Sequence, residues 1–114
     1  MIIYSEARKL SIKKWQWVVD NWDYSLSNDA NINRLLRAIP ELKTLTHSCG
    51  WCDYYLCGLY TCTSCVLDKI SNGKACSIWY KNFRNKEKTP KIRRKNAIKI
   101  LNACKAIPEV EDDK

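Results

Sequence analysis

Seven cysteines and a single histidine are the residues of this 114-residue chain best suited to bind a metal or do thiol chemistry. Six of the cysteines fall between Cys49 and Cys76, with His47 just ahead of them. Cys49-Gly50-Trp51-Cys52 is one CxxC pair and Cys62-Thr63-Ser64-Cys65 is a second, with Cys57 and Cys76 as additional thiols. Two residues between paired cysteines let both sulfurs face one ion. Two such pairs make a tetrahedral four-thiolate site with Zn–S distances of about 2.3 Å. The expected ligands are therefore drawn from Cys49, Cys52, Cys62, Cys65 and Cys76. Either Cys57 or Cys76 can replace a member of the second pair, Cys76 after folding back across a short helix. Zinc is the expected ion, because a structural site contributes folding free energy directly. An iron–sulfur cluster also takes four thiolates and is the competing cofactor, although the spacing matches no ferredoxin arrangement.

Two other readings of these cysteines carry less weight. Buried thiols can act as small apolar groups, and a CxxC can be a redox pair, but no βαβ pattern surrounds this one. His47 is read as a surface or supporting residue, since cysteines already suffice as ligands. A catalytic zinc needs an open coordination position and a general base. Only Asp53 and Asp68 lie close in sequence, so no enzyme is expected. Cys104 stands apart, on the apolar face of a predicted helix.

The elements that hold this cluster are expected to be helical. With only 3 Gly and 3 Pro, the chain has too few breakers for a many-turned β fold. Ser5 is a plausible N-cap for a helix running to about Trp22. Along it Ala7, Leu10, Trp15, Val18 and Trp22 recur on one face, with Trp17 and Val19 widening it. These rings are read as core rather than as a ligand-binding aromatic box. Asp23 to Asn31 is turn-like. A second helix follows from about Asn31, with Ile32, Leu35, Leu36 and Ile39 inward, and Pro40 ends it. A brief helical turn leads on to Thr46. Beyond the cysteines, Val66 to Ser71 reads as a short helix stopped by Asn72-Gly73, and Ser77 to Asn85 as another. Thr89-Pro90 pairs a capping hydroxyl with a proline at the first helical position. The helix it starts runs to about Ala106, with Ala97, Ile100, Leu101 and Cys104 on one face.

The expected fold is thus mainly α: one small helical domain stapled by a central cysteine-rich metal-binding knot. Residues 1–46 supply N-terminal helices, 47–76 the knot, 77–107 basic helices and 108–114 a mobile acidic tail. No apolar run approaches the roughly 18 residues needed to span a membrane. Met1 to Leu10 lacks the apolar stretch and cleavage site of a signal peptide. A reducing cytoplasm is expected, which favours metal ligands over disulfides.

At these residues the chain resembles a family of small cysteine-motif proteins common in bacteriophage genomes. Ser11-Ile12-Lys13-Lys14-Trp15 matches its helical Ser-Ile-x-x-Trp element. Cys49-x-x-Cys52 and Cys62-x-x-Cys65-Val66-Leu67 match the two CxxC pairs, and Gly73 and Cys76 the turn and last cysteine. Val66 stands where the family usually has proline, and Ile78-Trp79-Tyr80 where it has a Thr-Pro-Tyr-like sequence. The resemblance implies a metal-bound helical protein of phage or prophage origin in the cytoplasm of a bacterial host. It brings no established activity.

The net charge of +8 has one source. From Lys81 to Lys99 nine basic residues, Lys81, Arg84, Lys86, Lys88, Lys91, Arg93, Arg94, Lys95 and Lys99, are opposed by Glu87 alone. On the last helix Lys91, Lys95 and Lys99 share a face, with Arg94 at its edge. The partner-binding residues are expected to be Lys81, Arg84, Lys91, Arg93, Arg94, Lys95 and Lys99. Such a surface can lie along phosphates or dock on an acidic protein groove; the plain alternative is a solvated helix face. The leading functional expectation is a non-enzymatic interaction protein that binds and modulates a host macromolecule, for example by inhibiting a defence nuclease complex such as CRISPR-Cas. The alternative is a zinc-supported nucleic-acid-binding protein that uses the basic C-terminal helix.

Overall fold

A computed structural model describes residues 4–44 and 66–109, and among these every regular element is helical. Helix α1 spans Tyr4–Asn21 and α2 spans Asn28–Ala38, followed by a 3-10 turn at Pro40–Thr44. Beyond the undescribed stretch come α3 (Val66–Ile70), a π-helical turn at Ala75–Trp79, α4 (Tyr80–Arg84) and α5 (Pro90–Ala106).

The core is built mainly where α1 and α5 lie antiparallel. Ala7, Trp15 and Val18 from α1 meet Ala97, Ile100, Leu101 and Cys104 from α5, all nearly inaccessible. Leu67, Ala75, Phe83 and Ile107 complete this cluster. Burying each of the larger side chains contributes about 1.5–3 kcal/mol. A smaller cluster of Leu35, Ile39 and Leu42 joins α2 to the 3-10 turn, with Leu10 and Trp17 packed against it.

Two arginines tie the antiparallel pair at its ends. The Arg8 Nε of α1 donates to the Ile107 carbonyl at 2.8 Å, and its Nη2 to the Lys105 carbonyl at 3.3 Å. At the other end the Arg94 Nε of α5 donates to the Val19 carbonyl at 3.2 Å. Each helix thus places a cation over the carbonyls its neighbour leaves without intrahelical partners, where the helix dipole is negative. The Tyr4 hydroxyl adds a bond to the Pro108 carbonyl at 3.0 Å.

Several boundaries follow from local chemistry. Helix α1 already includes Ser5, so Ser5 is not its N-cap. Helix α2 starts at Asn28 because the Ser27 hydroxyl accepts from the Ala30 amide at 3.1 Å. That start lies three residues earlier than the apolar periodicity implies, and it makes Asn31 a residue inside the helix. Asn31 is fully buried. Its side-chain amide donates to the Asp23 and Ser27 carbonyls at 2.8 and 3.2 Å. Its oxygen accepts from the Asp23 amide at 3.0 Å and from Arg34 Nη1 at 2.9 Å. The loop between α1 and α2 is wound around this one side chain. Asn72 and Gly73 adopt φ of 55° and 76°, the left-handed conformation that ends α3. The Thr89 hydroxyl accepts from the Ile92 amide at 3.3 Å, with Pro90 at the first helical position, as the Thr-Pro pair predicts.

Two side chains depart from the expected pattern. Ile32 is 39% exposed rather than inward. Lys14 of α1, a cation, is only 7% exposed, with its ammonium 4.9 Å from the Trp15 ring centroid.

Candidate functional site: a basic surface and an aromatic pocket

The expected metal ligands Cys49, Cys52, Cys62 and Cys65 lie outside the described residues, as do His47 and Cys57. The backbone of Cys76 sits in the π turn, but its side chain is likewise outside. Among the described residues no group of His, Cys, Asp and Glu is arranged to hold a metal ion. Cys104 lies fully buried in the α1–α5 core, in the place of a small core side chain.

The basic segment divides into an outer face and one inward residue. Lys91, Lys95 and Lys99 follow at four-residue steps on α5, and all three are exposed. Lys81 and Arg84 on α4 and Lys86 and Lys88 in the following loop are exposed too. The loop is fixed by Asn85, whose side-chain oxygen accepts from the Glu87 amide at 2.9 Å. Arg94 is exposed at the edge facing α1, where it makes its bond to Val19. Among the described residues the only ion pair is Lys13–Glu41, at 2.9 Å. The exposed cations of α4, the loop and α5 therefore have no carboxylate within ion-pair distance there.

Arg93 does not belong to that face. It is 3% exposed. Its Nε donates to the Phe83 carbonyl at 2.7 Å, its Nη2 donates to Asn28 Oδ1 at 3.1 Å, and the guanidinium lies 5.0 Å from the Tyr24 ring centroid. Burial holds its pKa below the ordinary arginine value. Arg93 is an internal clamp joining α5, α4 and the start of α2. Nothing in the charge pattern marks it out among eight other cations; the signal is helical phase, since it sits with Ala97 and Ile100.

A pocket of about 130 Å³, which sequence reasoning missed, lies among α1, α2 and α4. Its walls are Trp15 and Val18 from α1, Trp22 just beyond its end, Ile32 and Leu35 from α2, and Tyr80 and Phe83 from α4. The rings meet edge to face: Trp15–Phe83 at 5.4 Å, Trp22–Phe83 at 4.8 Å and Trp15–Tyr80 at 6.0 Å between centroids. Lys14 and Arg84 are the charged residues lining it. A shallower depression formed by Asn28, Tyr80, Lys81, Arg84 and Asn85 adjoins it, sharing Asn28, Tyr80 and Arg84. The Arg84 guanidinium lies 5.6 Å from the Tyr80 ring centroid. Asn28 is locked in place, because its amide nitrogen donates to the Arg84 carbonyl at 3.3 Å while its oxygen is held by Arg93. Two buried polar atoms have no hydrogen-bond partner among the described residues: the Trp22 indole Nε1 and the Tyr24 hydroxyl. Burial pushes the Tyr24 pKa up, against the pull of Arg93 and Arg94.

None of the described helices is long and apolar enough to cross a membrane. Set against protein-family models, curated proteins and solved structures, the chain matches none of them.

Proposed function

We propose that the protein is a non-enzymatic, metal-stabilised binding protein that engages nucleic acid through the basic surface of α4, the following loop and α5. The observation that carries this reading is the exposure of Lys91, Lys95 and Lys99 in register along α5, continued by Lys81, Arg84, Lys86 and Lys88, with Glu87 the one acid in the segment. A surface of this kind neutralises phosphates and releases their counterions, so binding falls steeply with salt. The six expected partner-binding residues left after Arg93 turns inward are Lys81, Arg84, Lys91, Arg94, Lys95 and Lys99.

Zinc on four of the clustered cysteines remains the proposed staple, supported by the two CxxC spacings; an iron–sulfur cluster is the competing cofactor. The phage-like pattern of those cysteines supports an action in the cytoplasm of a bacterial host. A second reading, docking on an acidic face of a host protein such as a defence nuclease complex, is favoured by Ile92. This side chain is 43% exposed beside Lys91.

Binding of random-sequence duplex and single-stranded DNA, followed by fluorescence anisotropy, tests the proposal. Micromolar or tighter binding at about 50 mM salt that weakens steeply as salt rises is expected. Complete absence of binding at the low-salt end rules the nucleic-acid reading out.

A further inference from the structure

The aromatic pocket is a feature that a basic docking face leaves unused. We infer that it receives one unstacked pyrimidine base of a single-stranded nucleic acid, with the flanking phosphates held by Lys81 and Arg84 at its mouth. This rests on the nucleic-acid reading above and makes it specific.

Three observations converge on that occupant. The first is size. An apolar cavity of about 150 Å³ admits benzene, so the 130 Å³ here suits a single six-membered ring better than a fused purine. The second is wall chemistry. Trp22 and Tyr80 are half-buried rings in the pocket wall, with Trp15 and Phe83 buried behind them, and exposed aromatic surface is what proteins use to stack extruded or single-stranded bases. The third is charge: Lys14, Lys81 and Arg84 line the pocket and its adjoining depression, and neither is lined by an acid among the described residues. An uncharged ring carrying a phosphate on each side fits an apolar pocket with a cationic rim.

The pocket is prearranged for this use. Arg93 fixes Asn28 from below, and Asn28 in turn holds the Arg84 backbone, so the rim keeps its shape without a ligand. Duplex DNA offers no free base, so the pocket should discriminate by strandedness and ring size while the lysine face does not.

Short oligothymidylate, oligodeoxyadenylate, a matched duplex and polyglutamate are the probes, read by anisotropy and by quenching of tryptophan fluorescence. Oligothymidylate is expected to bind about tenfold tighter than oligodeoxyadenylate, with quenching that the duplex does not produce. Ile32, 39% exposed and lining the pocket, is the place to obstruct it. Ile32→Trp should weaken oligothymidylate binding about tenfold and leave duplex binding unchanged. Ile32→Glu, which an exposed site tolerates even if the bulky variant misfolds, should do the same. Arg84→Glu should weaken binding more than the charge-matched Lys9→Glu on another face of α1. The inference is overturned if both Ile32 variants bind oligothymidylate and quench like the wild type; the lysine face then binds phosphates without the pocket. It is also overturned if polyglutamate binds in preference and in a pocket-dependent way, which makes the partner a protein. Failure to bind any nucleic acid removes the broader reading and this one together.

Discussion

Replacing Arg93 with alanine should damage folding far more than replacing any other cation of the basic segment. The side chain is 3% exposed and makes two hydrogen bonds, at 2.7 Å to the Phe83 carbonyl and 3.1 Å to Asn28 Oδ1. Hydrogen bonds involving a charged group contribute about 1.5–3 kcal/mol each, and the acceptors left behind lose their partner. The contact with Tyr24 adds about 0.5–2 kcal/mol. Because these terms share one side chain they do not add fully. A loss of about 3 kcal/mol is the working expectation, and it corresponds to a fall in Tm of roughly 12 °C, at about 4 °C per kcal/mol for a domain of this size. Arg93→Lys keeps the charge but not the planar fork that serves two acceptors, so it should recover little. Arg94→Ala, at an exposed site with one 3.2 Å bond, should cost about 1 kcal/mol or less. Urea titration followed by circular dichroism measures all three. An Arg93→Ala protein within about 1 kcal/mol of the wild type would refute the clamp. One consequence is practical: reversing Arg93, Arg94 and Lys95 together cannot separate binding from folding, whereas Lys91, Lys95 and Lys99 can be altered without touching the core.

Other outcomes follow from buried polar groups and from the cysteines. Tyr24→Phe removes a buried hydroxyl that has no partner among the described residues and should be neutral or stabilise by up to about 1 kcal/mol in a thermal melt. Burial raises the Tyr24 pKa above the ordinary 10.0, so the folded state keeps this proton at pH values where the unfolded chain loses it. Its contribution to stability is therefore lost as pH rises past about 10, and the Tyr24→Phe melt should lose less stability there than the wild-type melt. Asn31→Ala strands backbone groups of Asp23 and should cost about 2–4 kcal/mol in urea, against about 1 kcal/mol for loss of the Ser27 cap in Ser27→Ala. Chelation or Cys52→Ser should abolish helicity together with bound zinc, as elemental analysis and far-ultraviolet dichroism would report; helicity unchanged without metal would contradict the staple.

Much of the helical layout is legible in the sequence because its signals are local. Thr89-Pro90 marks the start of α5, Asn72-Gly73 the end of α3, and the Ala97, Ile100, Leu101 and Cys104 phase the buried face, each within a turn or two of the residues concerned. What stays hidden depends on distant partners. Asn31 looks like an ordinary polar helix-start residue until its two bonds back to Asp23 across the α1–α2 loop are seen beside those to Ser27 and Arg34. Arg93 is one of nine similar cations until its phase on α5 is combined with the positions of Phe83 and Asn28. The pocket is the clearest case. Trp15 and Trp22 do read as core-facing rings, and they are packed as core, but the space beside them arises only when α2 and α4 meet α1. Periodicity tells which side of a helix is apolar; it carries no information on whether facing surfaces fill the gap between them.

The most direct test of the lysine face is the salt dependence of oligonucleotide affinity for the wild type and for the combined Lys91→Ala, Lys95→Ala and Lys99→Ala variant. Each phosphate contact on a single strand contributes about 0.7 to the slope of log K against log salt, so losing three should flatten it by about 2. The variant's Tm should stay near that of the wild type, because all three lysines are exposed. A flatter slope at unchanged stability is the expected result. An unchanged slope, or no binding by the wild type at about 50 mM salt, contradicts a nucleic-acid role for this surface.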